Sequence, residues 1–130
     1  MRELRSLATQ GVDFATESTL AARAYVPLVE RWRANGTRFH LYYVWLPSAD
    51  MATQRVAARV RAGGHNIPEE TIRRRYEMGR RNFINAYAPR ADYWTVIDNS
   101  NITYQVVAYG GLARKEEIID ADIWEAIHVG

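Results

Sequence analysis

The stretch FHLYYVWLPSADMATQRVAARVRAGG, residues 39–64, carries the fold in miniature. From Phe39 to Leu46 nearly every residue is apolar, aromatic or β-branched. That pattern predicts a strand buried on both faces, as in a parallel sheet. Pro47 ends the strand, because proline has no N–H for a ladder. Ser48 is placed to cap a helix running to about Ala62, its hydroxyl taking a free first-turn N–H. Gly63-Gly64 then stops that helix. Strand, loop, helix and stop together make half of an α/β unit.

The flanking sequence repeats this logic. Val12–Ala15 reads as a short strand and Leu20–Ala34 as a helix, with Asn35-Gly36 as its stop. After the glycine pair, Pro68 with Glu69 and Glu70 marks a helix start, since acids suit the positive end of the dipole. That helix should reach about Tyr87, where Pro89 closes it. Trp94–Asp98 reads as a strand, Asn99-Ser100-Asn101 as a turn, and Ile102–Tyr109 as a further strand. Asp120–His128 reads as a short capped helix facing inward through Ile123, Trp124 and Ile127. The alternation predicts one α/β domain over residues 1–130, with a mostly parallel sheet and a C-terminal strand pair. Ligands of such sheets bind beyond the carboxyl ends of the strands. Those ends carry Thr16-Glu17-Ser18-Thr19, Pro47-Ser48 and Asp98-Asn99-Ser100.

Composition bounds the function. The chain has 130 residues, 48% of them hydrophobic and 25% charged, an ordinary globular balance. It has no cysteine, which excludes disulfides and thiolate metal sites. No His/Asp/Glu group shows metal-ligand spacing, so no metal site is expected. The longest apolar run, Phe39–Pro47, is far short of the ~20 residues that cross a bilayer. The N-terminus bears Arg2, Glu3, Arg5 and Asp13 rather than a signal-peptide core. A cytoplasmic protein without a membrane partner is expected.

The positive charges are sixteen arginines and a single lysine, Lys115. Codon bias accounts for such a ratio; so does phosphate recognition, because arginine offers a planar bidentate fork. The fifteen acids are spread throughout and the net charge is only +2, which argues against a general nucleic-acid surface. Six arginines crowd residues 55–77, on two helices joined by Gly-Gly-His and a proline. At ~100° per residue, Arg59 falls about 20° from Ala52, at the edge of the Ala52-Val56-Val60 stripe, with Arg55 further round. Arg61 and Arg74 point to solvent, while Arg73 and Arg75 flank the Ile72-Tyr76-Phe83 stripe. Each such arginine either pairs with a nearby acid or waits for an anion.

Four stretches also share a family resemblance. R-V-x-x-R-V-x-x-G-G-H-x-I-P-E-E-x-I-R-R-R-Y over residues 55–76, Phe14-Ala15-Thr16-Glu17-Ser18-Thr19, Leu46-Pro47-Ser48, and Ala91-Asp92-Tyr93-Trp94 through Asp98-Asn99-Ser100 resemble the zeta toxin-like P-loop kinases, in their chromosomal ATPase-like branch. The resemblance covers roughly residues 3 to 127 and implies a partial P-loop-kinase-like sandwich with a helical lid at about 55–77. It further implies transfer of a phosphoryl group from ATP or GTP, with Mg²⁺, to a small molecule such as a sugar nucleotide. Arg59 with Arg73 or Arg75 would be lid arginines that neutralise the transferring group. Thr16, Glu17 and Thr19 would lie by the acceptor, and Asp98, Asn99 and Ser100 by the nucleotide base.

The chain departs from that family severely: the family's first strand, its phosphate loop and the following segment with an acidic catalytic base have no counterpart in it. It contains no G-x-x-x-x-G-K-[ST] phosphate loop, and the Gly63-Gly64 pair is not followed by Gly-Lys. It looks like the C-terminal two-thirds of such a kinase, inactive on its own and holding no nucleotide or Mg²⁺ alone. The alternatives are a non-enzymatic module that binds a nucleotide, a phosphorylated small molecule or a partner chain, and an RNA-binding domain using Tyr42, Tyr43, Trp45 and Tyr76. The family's missing first strand would lie between those matching Val12–Ala15 and Phe39–Leu46, so a homo-oligomer that fills the gap by exchange is expected.

Overall fold

The computed structural model describes residues 25–129. Helix α1 (Val26–Ala34) has proline in its first turn and arginines in its last, both suited to their ends. It terminates in a left-handed residue, Gly36 at φ +84°, with the Thr37 N–H reaching back to the Trp32 carbonyl at 2.9 Å. Leu28, Val29 and Trp32 form its buried stripe. Strand β1 (His40–Trp45) follows.

Helix α2 (Ala49–Arg61) begins as the sequence predicts, with Ser48 Oγ accepting from the Met51 N–H at 3.1 Å. It ends at the glycine pair. Gly63 lies at φ +101°, and the Gly64 N–H bonds the Arg59 carbonyl at 2.7 Å, the same termination used by α1. Helix α3 (Glu69–Asn82) continues through one wide turn at Phe83–Tyr87 and one tight turn at Ala88–Arg90, where Pro89 sits. Strands β2 (Tyr93–Asp98), β3 (Gln105–Gly110) and β4 (Glu117–Ile118) come next. Helix α4 (Ala121–Val129) closes the described chain, with Asp120 Oδ1 accepting from the Ile123 N–H.

The strands form one open sheet in the order β1-β2-β3-β4. β1 and β2 run parallel, with Leu41 opposite Trp94 and Trp45 opposite Asp98. The other two pairings are antiparallel, and β3 bulges at Val107, which sits between the partners of Val96 and Ile97. The expected mostly parallel sheet is therefore corrected on the described strands, while the expected C-terminal strand pair is present. Val12–Ala15, which was expected to add a further strand, lies outside the described residues, as do Thr16, Glu17 and Thr19.

The helices cover one face of the sheet. Leu41, Tyr43 and Trp45 of β1, Trp94 and Val96 of β2, and Ala108 of β3 are buried there against Leu28, Val29, Phe83, Tyr87 and Ile127. Aromatic rings run through this layer: Tyr43 stacks on Phe83 at 4.7 Å, Phe83 meets Trp94 edge-on, and Trp94 stacks on Trp124 at 5.2 Å. The opposite face of β1 is exposed. Tyr42 is 65% exposed and Val44 51% exposed. The expectation that Phe39–Leu46 is buried on both faces is thus overturned, because the strand alternates and packs on one side only. A run of apolar letters cannot distinguish one covered face from two.

Asp92 ties α1 to the sheet. Its carboxylate accepts from the Phe39 N–H at 2.8 Å and pairs with Arg33 at 3.3 Å. Partial burial pushes its pKa up, but the Phe39 N–H and the Arg33 guanidinium outweigh this and hold it below the usual carboxylate value.

Candidate functional site at the strand ends

The parallel strands β1 and β2 end side by side, and the loops that leave them are joined. The Asn99 N–H donates to the Trp45 carbonyl at 3.0 Å. Beyond β1, Leu46-Pro47-Ser48 leads into α2; beyond β2, Asp98-Asn99-Ser100 turns toward β3. Asp98 is buried, and its Oδ1 accepts from the Ser100 N–H at 2.9 Å, which fixes the turn. Asn99 and Ser100 are half-buried beside it.

Two helices reach this edge. Tyr76 of α3 donates its hydroxyl to the Leu46 carbonyl at 2.7 Å. Arg55 of α2 donates from Nη2 to the Asn99 carbonyl at 2.8 Å. Arg59 stands one turn further along α2, so at ~100° per residue it shares the Arg55 face. It is exposed. Arg55 therefore places one cation against the Asp98–Ser100 turn, and Arg59 lies on the same face of α2, one turn away. Helix dipoles add to this field, since the N-terminus of α2 opens at Ser48, although the Ser48 hydroxyl is spent on its own cap.

The candidate arginines separate by partner. Arg73 pairs with Asp50 at 2.6 Å and Glu69 at 2.9 Å, so its charge is already met and it links the starts of α2 and α3. Arg75 is exposed without an ion pair among the described residues. Neither touches the Asp98–Ser100 turn through any hydrogen bond. Sequence spacing ranked Arg59 above Arg55, yet Arg55 holds the loop. Its i, i+4 relation to Arg59 put both on one face, but the deciding carbonyl lies 44 residues away.

Arg80 was not singled out. It is buried, donates to the Ile127 carbonyl at 2.6 Å and pairs with Glu77, while its Nε has no hydrogen-bond partner. The Arg80 bond is the main reason that the Glu77 pKa lies below the usual value, against a smaller upward push from burial. Burial, with smaller contributions from Tyr76 and Glu77, pushes the Tyr43 phenol well above its ordinary value, so Tyr43 stays neutral.

Among the described residues no group of three His, Cys, Asp or Glu side chains is placed to hold a metal ion. No described helix is long and apolar enough to cross a membrane. Of the four aromatics considered for RNA, Tyr43 and Trp45 are core residues and Tyr76 is half-buried with its hydroxyl on Leu46; Tyr42 alone of the four is exposed.

The chain is similar to a protein of Haemophilus influenzae (strain ATCC 51907 / DSM 11121 / KW20 / Rd), described as "Uncharacterized protein", with 33% identity over 67 residues. The match takes in 52% of this chain and 48% of that protein, so it spans about half the length of each. No family model matches the chain. No solved structure matches it.

Proposed function

We propose that the strand-end edge beside Arg55 is the nucleotide-phosphate side of a phosphotransferase of the zeta toxin-like kind, of which this chain supplies the lid and base-side portion. The observation that carries this reading is the Arg55–Asn99 bond, which brings the arginine-bearing helix against the carboxyl ends of two parallel strands. That edge is where open α/β sheets take ligands. Arg55 and Arg59 would face phosphate oxygens, and the Asn99-Ser100 turn would lie by the base. Arg73 has a structural role in this reading, bracing the hairpin through Asp50 and Glu69.

The chain alone binds such an anion weakly and does not turn it over, because its sequence has no G-x-x-x-x-G-K-[ST] loop to cradle the phosphates. Titration of ADP and of pyrophosphate, followed by backbone amide shifts, tests the reading. Shifts centred on Arg55, Arg59, Asn99 and Ser100 support it; absence of any saturable shift there refutes it.

A further inference from the structure

The opposite flank of α2 bears on a different partner. Val56, Val60 and Arg61 line a groove of about 390 Å³ between α2, the returning linker and the start of α3, with Ile67 and Ile72 on the far wall. No residue of α2 is buried, so this apolar stripe is left half-covered. The surrounding hairpin is strongly basic. Residues 49–82 carry eight arginines against four carboxylates, while the rest of the chain carries nine cations against eleven carboxylates. Arg61 on the groove and Arg75, three residues beyond Ile72 on α3, are exposed and hold no ion pair among the described residues, while the groove's own carboxylate, Glu69, is paired with Arg73.

The chain also carries a surface of the complementary kind. β4 is one of the two edge strands of the described sheet, and there Ile118 is 42% exposed, with Ile119 after it 58% exposed. Glu116, Asp122 and Glu125 flank them, exposed and without ion pairs among the described residues. α4 packs inward through Ile127, which leaves this acidic side free.

We infer that the α2–α3 groove docks the β4–α4 segment of a second copy of this chain. The two isoleucines enter the apolar stripe, and the carboxylates meet Arg61 and Arg75. In a two-fold pair each copy's groove takes the other's segment, so both contacts form together. Charges of opposite sign steer and register the contact, while the apolar groove supplies the burial. The docking uses the flank of α2 turned away from Arg55 and Arg59, so it stands or falls apart from the proposed anion site.

The test is sedimentation of the full chain at micromolar concentration, with two charge-reversed variants made only at exposed positions. One carries Arg61→Glu and Arg75→Glu; the other carries Asp122→Arg and Glu125→Arg. The wild type should sediment at twice the 14.9 kDa chain mass and dissociate as salt is raised. Each variant alone should associate at least about tenfold more weakly. Mixing the two should restore a heterodimer, since every groove then faces a segment of opposite charge. A monomeric wild type overturns the inference, as does a dimer that neither reversal weakens, or a mixture that stays monomeric while both variants retain native circular dichroism.

Discussion

The guanidinium of Arg55 donates to the main-chain carbonyl of Asn99 at 2.8 Å across 44 residues of sequence, and so fastens α2 to the end of β2. An arginine held by a neutral carbonyl keeps its full charge. It is placed, but not neutralised, which distinguishes it from Arg73 with its two carboxylates.

Arg55→Ala should therefore weaken binding of ADP or pyrophosphate by about tenfold, the scale of one charge-assisted hydrogen bond. Arg73→Ala should change that affinity little and instead lower the melting temperature slightly, since exposed ion pairs contribute up to about 1 kcal/mol. Calorimetric titration beside thermal melting separates the two. Equal losses of affinity in both variants would contradict the assignment.

Gly63 is expected to resist substitution. It sits at φ +101°, and an alanine there is strained by about 1–2 kcal/mol. Gly64→Ala should also destabilise, because its Cβ would come 2.9 Å from the Arg59 carbonyl oxygen, which belongs to the helix backbone and cannot swing aside. Urea unfolding of both variants should show lower midpoints than the wild type. A midpoint that stays in place for Gly63→Ala would refute the left-handed stop.

Asp92 sets an acid limit. Its folded pKa lies below the usual value, so its bonds to Phe39 and Arg33 contribute stability that is fully present above the unfolded carboxylate pKa of ~3.9. That contribution is lost as pH falls from there through the lower folded pKa. Asp92→Asn should be less stable at neutral pH and should lose less stability on acidification than the wild type. Urea midpoints measured at neutral pH and down to about pH 2 check this.

Local chemistry was the most legible part of the fold. Ser48, the Gly63-Gly64 stop and the Asp120 cap act within a few residues of themselves, so their sequence signatures survive folding unchanged. What depends on distant partners was less so. Tyr42 and Val44 look identical in kind to Tyr43 and Trp45, and only the placing of the helices decides which pair meets water. The β4 strand has two residues and no period to detect. The Ile102–Thr103 segment, read as the start of β3, is an exposed turn, with the strand beginning at Gln105. Beyond β2, Asp98, Asn99 and Ser100 were legible as a turn because they follow a strand. The choice among arginines was not decidable from spacing, because it rests on Asp50 and Glu69 capturing Arg73 and on a carbonyl 44 residues away receiving Arg55.

Arg80 offers a separate check on the core. It is buried between α3 and the last turn of α4, so Arg80→Ala removes the bond to Ile127 and leaves Glu77 without its nearest cation. The loss should be about 2–3 kcal/mol, within the range for a hydrogen-bonded charge removed from the interior. Hydrogen exchange should accelerate first in α4. Unchanged protection of residues 121–129 would show that Arg80 does not hold that helix.

We propose that a phosphate-bearing ligand is received at the edge where β1 and β2 end, beside Arg55. Backbone amide shifts during an ADP titration test it most directly. Saturable shifts should be largest at Arg55, Arg59, Asn99 and Ser100, and reduced in Arg55→Ala. Largest shifts on the open sheet face, around Tyr93 and Arg114, or at the groove beside Arg61, would contradict it.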